Sequence, residues 1–160
     1  MEHEKILILD FGSQYTQLIA RRVRELNIYS EIHPYNNMPE IGDNWKGVIL
    51  SGSPYSVHDP ESPIIDLKEI KGKLPLLGVC YGAQYLAYKF GGQVVASDTR
   101  EYGRATLNFI DTNSTLMKAV PNDSQVWMSH GDSIATIPAN YRVIASTNDV
   151  KVAAYELDDN

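Results

Sequence analysis

The amino-acid sequence predicts an α/β protein with an open, mainly parallel sheet, helices on both faces and a small antiparallel section. Three continuous apolar runs, at residues 5–9, 47–50 and 74–79, are typical of strands buried on both faces. Helical spacing follows two of these runs, and strands that alternate with helices favour a parallel sheet. We expect one domain, 1–160, because the sequence contains no internal repeat, low-complexity tract or interdomain linker.

The first apolar run ends in a polar turn, residues 10–13, that offers a helix-capping residue. The helix predicted next has apolar residues on one side and its arginines mostly on the other. Its apolar residues are Tyr15, Leu18, Ile19, Val23 and Leu26. A short strand is then predicted around residues 31–34.

The second apolar run leads into Ser51-Gly52-Ser53-Pro54, whose composition predicts a loop. The third run leads directly to Cys80, and the apolar spacing after it predicts a helix over residues 83–90 that two glycines close. The pattern changes after residue 100, where strands are predicted at 104–110 and 125–128. These strands could form an antiparallel edge added to the parallel sheet.

Composition and charge exclude several classes of function. With 14 basic and 20 acidic residues, a formal charge of −6, the chain is not expected to have a broad nucleic-acid or membrane surface. No apolar run approaches the ~20 residues that span a bilayer. The single cysteine suggests a reducing, cytoplasmic setting. Because metal-ligand spacing and phosphate-binding glycine motifs are absent, we expect no metal site and no cofactor in this domain.

Cys80 is the candidate nucleophile. It is the central residue of Gly78-Val79-Cys80-Tyr81-Gly82, at the carboxyl end of a predicted strand, where α/β folds collect ligands. A G-x-nucleophile-x-G sequence makes a sharp, strained turn that exposes the nucleophile, and the dipole of the following helix should lower the thiol pKa. A lone cysteine among apolar residues is usually an inert small hydrophobe, but this spacing favours a reactive thiolate.

A cysteine that attacks a carbonyl also needs backbone N–H donors for the oxyanion that develops. One donor is expected from Tyr81, directly after the nucleophile. The other is expected from a small-residue loop after a neighbouring strand, where Ser53 is well placed. On composition alone the same loop could equally be an ordinary Gly-Ser-Pro turn.

Segments spread over essentially the whole chain resemble class I glutamine amidotransferases. The segments 78–84 (G-V-C-Y-G-A-Q) and 50–57 (L-S-G-S-P-Y-S-V) are similar to that family's nucleophile and oxyanion segments. Segments 9–25, 100–105 and 126–132 (V-W-M-S-H-G-D) are more specific and resemble the amidotransferase part of the GMP synthetases. The resemblance therefore implies a flavodoxin-like fold and a glutaminase.

The resemblance also assigns roles to individual residues. Cys80 would attack the carboxamide of glutamine and form a glutamyl thioester, releasing ammonia before water yields glutamate. The residues implied in glutamine binding are Gly52, Gln84, Ser129, Gly131 and Asp132. His130 lies in the same segment, but we expect it to be structural or exposed rather than the catalytic base.

The implied partner is an ATP-pyrophosphatase synthetase domain or subunit. It would use the ammonia, ATP and Mg²⁺ to convert xanthosine monophosphate to GMP, and it would supply the ATP and Mg²⁺ sites that this domain lacks. Whether such a part is fused or separate, and how the protein assembles, the sequence does not determine.

Two departures from the family pattern stand out. The family loop commonly has Gly-Gly where this chain has Gly52 and Ser53, so a side chain could narrow the pocket or restrict the backbone φ. The family's base and its partner lie in a His-Pro-Glu motif, and none of the four histidines precedes Pro-Glu. We expect a domain cut short at Asn160, and poor glutaminase activity from this part alone.

Three alternatives stay open at this point. The chain could serve an amidotransferase of another biosynthetic pathway, which its accompanying synthetase would reveal. It could be a non-catalytic binding module of the same fold, although a strained loop is costly to keep without use. It could also be another thiol hydrolase, which would require His130 within hydrogen-bonding reach of Cys80.

Overall fold

The computed structural model describes residues 3–158, except for the side chains of residues 98–101. The chain forms two compact units, Met1–Tyr85 and Leu86–Asn160. The prediction of one domain over 1–160 therefore stays a prediction, and each unit is described by itself. Asn160 and the first two side chains of the segment 100–105 lie outside the described residues.

The first unit contains a four-stranded parallel sheet, as the sequence predicted. Its strands follow the order β2-β1-β3-β4, and every neighbouring pair is parallel. The elements are β1 (Lys5–Asp10), α1 (Thr16–Glu25), β2 (Tyr29–Pro34), β3 (Trp45–Leu50), β4 (Leu76–Gly78) and α2 (Tyr81–Lys89), the last beginning in this unit. The predicted ends of the buried strands thus agree with the observed ends of β1, β3 and β4 to within about two residues.

Strand β1 is covered on both faces. Leu7, Ile8 and Leu9 are successive residues that are all fully buried. Since successive side chains of a strand point to opposite faces of the sheet, apolar groups must cover both sides of β1. This explains the continuous apolar run in the sequence, which alternating polar residues would have interrupted.

The strand order creates a switch point beside β1. The chain first adds β2 on one side of β1 and then crosses to the other side to add β3. In open α/β sheets of this order, ligands bind where the connections diverge, outside the carboxyl ends of the strands. The loops that follow β1 and β3 therefore border the expected ligand crevice.

Helix α1 departs from its predicted pattern. Its N-cap is Tyr15, which makes no side-chain capping bond, so the expected capping residue in the turn 10–13 is wrong. Ser13 Oγ instead accepts the Tyr15 N–H, ahead of the helix. The buried side is formed by small residues, Thr16 and Ala20, whereas Leu18 is exposed. Small residues let the helix lie close to the sheet, and spacing alone did not show this.

The second unit is built from antiparallel strands. They are β5 (Gln93–Thr106), β6 (Phe109–Ile110), β7 (Gln125–Thr136), β8 (Tyr141–Ser146) and β9 (Ala154–Leu157). β5 pairs with β7 in one ribbon, and β6, β8 and β9 form a three-stranded sheet. A core of Leu107, Met117, Ile144 and Ala145 lies within this unit.

The expected antiparallel edge on the parallel sheet is wrong. Among the described residues, the antiparallel strands pair only with one another, in two sheets of their own. The single strand expected at 104–110 is divided between β5 and β6, because the Leu107 and Asn108 N–H groups bond to Ser124 and Ser146 carbonyls instead. Within the described part of the chain, no helix is long and apolar enough to cross a membrane.

Candidate active site

Cys80 occupies a strained position between β4 and α2. It follows Val79 after the end of β4 and directly precedes the first residue of α2. Its φ is +53°, in the left-handed region that non-glycine residues rarely adopt. The predicted sharp, strained turn is therefore present, and the thiol is carried at an exposed position.

The two glycines of the turn are required by close backbone contacts. A Cβ at Gly78 would lie 2.6 Å from the Ala83 nitrogen, and a Cβ at Gly82 would lie 2.6 Å from the Leu50 carbonyl oxygen. Both distances are shorter than real Cβ contacts, and the opposing atoms belong to the backbone, which cannot swing away. The sequence prediction that side chains would collide here is confirmed.

Backbone hydrogen bonds hold the turn against the end of β3. The Val79 N–H donates to the Leu50 carbonyl at 2.9 Å, and the Gly82 N–H donates to the Ser51 carbonyl at 3.1 Å. The Gln84 N–H donates to the Cys80 carbonyl at 3.0 Å, which closes the first turn of α2. The nucleophile is thus fixed by bonds on both sides of it.

The pKa of the Cys80 thiol is raised, not lowered. Desolvation by the surrounding protein raises this pKa, and a hydrogen bond from the Tyr81 backbone N–H opposes the shift without cancelling it. The lowered pKa predicted from the helix dipole is therefore wrong in sign. Although Cys80 is exposed on one side, the protein on its other side desolvates the thiolate more than this one backbone donor stabilises it. A second group or the bound substrate must favour the thiolate for attack.

Tyr81 has a structural role that the sequence analysis missed. Its side chain is only 1% exposed, and its hydroxyl donates to the Pro63 carbonyl at 2.7 Å. Its ring lies against those of Phe11 and Tyr85, with centroids 5.6 Å and 6.2 Å away. This packing fixes the backbone N–H that follows the nucleophile, the predicted oxyanion donor.

Gly52 brings the predicted oxyanion loop next to the nucleophile. A Cβ at Gly52 would lie 3.5 Å from Cys80 Cβ and 3.4 Å from Ser13 Oγ. The loops after β1, β3 and β4 therefore meet at one point, as the rule for carboxyl ends of strands predicted. Ser13 was not proposed from the sequence, because nothing in the sequence shows which side chain of its loop faces inward.

Ser53 fits its position without visible backbone strain. It is half-buried, and its Oγ accepts the Tyr55 N–H at 3.3 Å in a short local turn. Its φ is not positive, unlike that of Cys80. Serine can therefore replace the family's second glycine here, because the backbone conformation is open to any residue. Its role as oxyanion donor stays a prediction.

The implied glutamine-binding residues are divided between the units. Gly52 and Gln84 are buried residues of the first unit, which also contains Cys80. Ser129, Gly131 and Asp132 lie on β7 in the second unit, where alternation sends the side chains of Ser129 and Asp132 to opposite faces. A shared site for all five stays a prediction.

The expectation that the chain holds no metal site stays a prediction. Within the described ranges, no group of three or more His, Cys, Asp and Glu side chains is arranged to hold a metal ion. His130 is half-buried on β7 of the second unit. Its part in the chemistry stays open.

Comparison with known proteins agrees with the fold and with the family that the sequence resembles. The model of the family "Glutamine amidotransferase class-I" matches residues 7–160. The chain is 64% identical over 154 residues to the glutamine-hydrolysing GMP synthase of Cytophaga hutchinsonii, and 58% identical over 156 residues to that of Phocaeicola vulgatus. These matches cover 96% and 98% of this chain but only 30% of each relative.

Solved structures resemble the chain over nearly its full length. A Thermoplasma acidophilum protein, provisionally assigned as one of the subunits of a GMP synthase, superposes with a TM-score of 0.79 at 25% identity, covering 98% of this chain and 79% of that one. A Thermotoga maritima glutamine amidotransferase gives 0.76 at 16% identity, covering 99% and 73%, and supports the fold alone. Because the family match spans nearly every residue, the chain belongs to the class-I glutamine amidotransferase family.

Proposed function

We propose that this chain is the glutaminase part of a glutamine-hydrolysing GMP synthase, with Cys80 as its nucleophile. The observation that carries the proposal is the strained turn at Cys80, set beside Gly52 of the neighbouring loop. Strain of this kind persists where the surrounding structure is arranged to keep it, which is typical of functional sites. The relatives with 64% and 58% identity are glutamine-hydrolysing GMP synthases, and they name the substrate.

The proposed reaction begins with attack of the Cys80 thiolate on the carboxamide carbon of glutamine. A C–S bond forms while the carbonyl electron pair moves to oxygen, and the Ser53 and Tyr81 N–H groups donate to that oxyanion. Collapse re-forms the carbonyl and breaks the C–N bond, and the leaving nitrogen takes up a proton as ammonia. Water then adds to the thioester, releasing glutamate and returning the proton to sulfur.

The proton transfers need a general acid and base besides the Cys80 thiol. None of the four histidines of the sequence stands before Pro-Glu, the family's base motif. The raised pKa of the Cys80 thiol adds to this requirement, because the thiol must lose its proton before attack. We therefore expect residues 1–160 alone to bind and capture glutamine analogues, but to turn over glutamine slowly.

The partner in this proposal is a synthetase domain or subunit that consumes the ammonia. The chain spans about 30% of the length of the curated relatives it matches, which leaves room in those proteins for such a part. Amination of xanthosine monophosphate with ATP and Mg²⁺ would belong to that part. The cytoplasmic setting inferred from the single cysteine is part of the same proposal.

The first test is covalent capture of Cys80. The chain and its Cys80→Ala variant are incubated with a glutamine-like diazoketone, and the intact mass of each is measured. We expect one adduct on the parent chain, none on the variant, and protection by excess L-glutamine. Protection by glutamine separates a glutamine-shaped pocket from general thiol reactivity.

A general alkylating agent, iodoacetamide, is the control for this test. If iodoacetamide labels Cys80 but the diazoketone does not, the thiol is reactive without a glutamine pocket, and the glutaminase proposal is wrong. If the diazoketone labels the chain and glutamine gives no protection, the proposed substrate is wrong. Either result would favour a binding module or another kind of thiol enzyme.

A further inference from the structure

Ser51 connects the three loops around Cys80. It is neither the proposed nucleophile nor a proposed oxyanion donor. It directly follows β3 and is fully buried. Its N–H donates to the Leu9 carbonyl of β1 at 3.1 Å, and its carbonyl accepts the Gly82 N–H of α2 at 3.1 Å. The backbone of Ser51 is therefore fixed on both sides.

The side-chain hydroxyl of Ser51 makes two further bonds. It accepts the Phe11 N–H at 2.9 Å and donates its hydrogen to the Gly52 carbonyl at 2.9 Å. A hydroxyl carries a single hydrogen, so this donor is committed to Gly52. Both bonds are buried, where water does not compete for the partners.

The bond to Gly52 also orients the next N–H. The carbonyl of Gly52 and the N–H of Ser53 belong to one planar, trans peptide group, in which they point in opposite directions. Because the carbonyl points toward the buried hydroxyl of Ser51, the Ser53 N–H points away from it. Gly52 itself lies beside Cys80, because a Cβ added at Gly52 would lie 3.5 Å from Cys80 Cβ, and Cys80 is exposed.

We propose that Ser51 is a positioning residue whose hydroxyl holds the Gly52–Ser53 peptide group with the Ser53 N–H directed to the substrate side of Cys80. Glycine at position 52 makes such a hold necessary, because without a Cβ the peptide group can rotate with little steric resistance. In the rotated orientation the Gly52 carbonyl would replace the N–H and repel an oxyanion. The conformational claim is independent of glutamine, whereas its effect on capture rests on the proposed function.

The conformational claim is tested first on the unsubstituted chain by NMR. The hydroxyl proton of Ser51 is expected to exchange slowly with water, since it is buried and bonded. In Ser51→Ala, the carbonyl ¹³C shift of Gly52 and the amide ¹⁵N shift of Ser53 are expected to move together. A rapidly exchanging hydroxyl, or a variant in which neither shift moves, would overturn the proposal whether or not the chain acts on glutamine.

The catalytic consequence is tested by the kinetics of diazoketone labelling. Ser51→Ala is expected to lower the maximal labelling rate by about tenfold or more, with little change in the concentration for half-maximal rate. Alkylation by iodoacetamide, which needs no oxyanion donor, should keep its rate. Ser51→Thr, which retains the hydroxyl, should recover most of the labelling rate.

Ser30→Ala is the matched control. Ser30 is 1% exposed in the same unit, and its hydroxyl also lies near a backbone carbonyl, that of Ala20 at 3.5 Å. This variant should leave both labelling rates unchanged. Parental diazoketone kinetics in Ser51→Ala would contradict the positioning role. If the unsubstituted chain reacts with iodoacetamide but not with the diazoketone, the glutaminase function is wrong. The NMR experiment would still decide the orientation of the Gly52–Ser53 peptide group.

Discussion

At the residue scale, two glycines near Cys80 differ in the space that the structure leaves for a side chain. Gly82 has no room for one, because a Cβ would lie 2.6 Å from the Leu50 carbonyl oxygen. Gly52 has room, since a Cβ there would lie 3.4 Å from Ser13 Oγ and 3.5 Å from Cys80 Cβ. The first glycine is thus needed for folding of the turn, whereas the second leaves space next to the nucleophile.

Gly82→Ala should destabilise the protein. The added methyl group collides with backbone of β3, and such overpacking costs about 1–3 kcal/mol in the free energy of unfolding. Urea denaturation followed by circular dichroism measures the change. Gly42→Ala is the control, because the nearest atom to its Cβ would be Asn44 Oδ1 at 3.6 Å, and its stability should change by less than about 0.5 kcal/mol. Equal stability of the two variants would contradict this account of the turn.

Gly52→Ala should fold but bind glutamine analogues poorly. Its φ is not positive and the added contacts are of ordinary length, so the methyl group should be accommodated at small cost. It would occupy the space beside Cys80 where the proposed function places the carboxamide of glutamine. We expect a higher diazoketone concentration for half-maximal labelling, and an unchanged rate with iodoacetamide. Unaltered diazoketone kinetics would show that the substrate does not lie beside Gly52.

At the element scale, the first turns of α2 are anchored to the connection between β3 and β4. The Tyr85 hydroxyl donates to the Ile65 carbonyl at 2.8 Å and accepts the Ile65 N–H at 3.2 Å. Tyr81 makes the neighbouring bond to Pro63. The connection between β3 and β4 contains turns but no regular helix among its described residues. The hydrogen bonds of Tyr81 and Tyr85 therefore hold it against α2 in place of helix packing.

Tyr85→Phe should therefore destabilise the first unit while keeping the ring in place. Loss of the hydroxyl leaves both backbone polar groups of Ile65 buried without that partner, at a cost of about 1–3 kcal/mol. Urea denaturation measures the change, with Tyr29→Phe as a control because Tyr29 is 54% exposed. Similar stability of the two variants would mean that the α2 anchor contributes little.

At the scale of the whole molecule, the described residues of each unit include a glutamate whose folded-state pKa is lowered, Glu31 in the first and Glu156 in the second. The pKa of Glu31 is lowered first by its hydrogen bond with Lys5, and then by that with His33. The pKa of Glu156 is lowered first by its hydrogen bond with Ser114, and then by those with Arg142. A lowered folded-state pKa means that the charged form stabilises the fold above the unfolded-state pKa.

Stability should accordingly fall as the pH drops below about 4.5, the ordinary value for a glutamate, toward the lowered folded-state values. Urea midpoints measured from neutral pH into this acid range should show the decline. Glu31→Gln and Glu156→Gln should each lower stability at neutral pH and make the acid decline shallower. If stability fell as steeply with pH in both variants as in the parent, groups other than these two glutamates would cause the loss of stability in acid.

Both the positions of the buried strands and that of the strained turn at Cys80 could be predicted from the sequence to a useful extent. The apolar runs located β1, β3 and β4, and the spacing around Cys80 located its turn and the need for Gly78 and Gly82. The predictions of an antiparallel edge on the parallel sheet, of a single strand over 104–110 and of a lowered Cys80 pKa were wrong. Each of these depends on neighbours that are distant in the sequence.

The sequence by itself determined the class of fold, because apolar periodicity and glycine spacing act locally and are written residue by residue. It indicated the family through the segments that resemble class I glutamine amidotransferases. Only the tertiary structure decided which small residues α1 turns inward, that desolvation outweighs the backbone donor at Cys80, and that Ser13 approaches Gly52 while Ser51 bonds to Phe11. These features arise where the ends of separate strands come together. Their energies depend on distance and burial, which no local pattern of residues records.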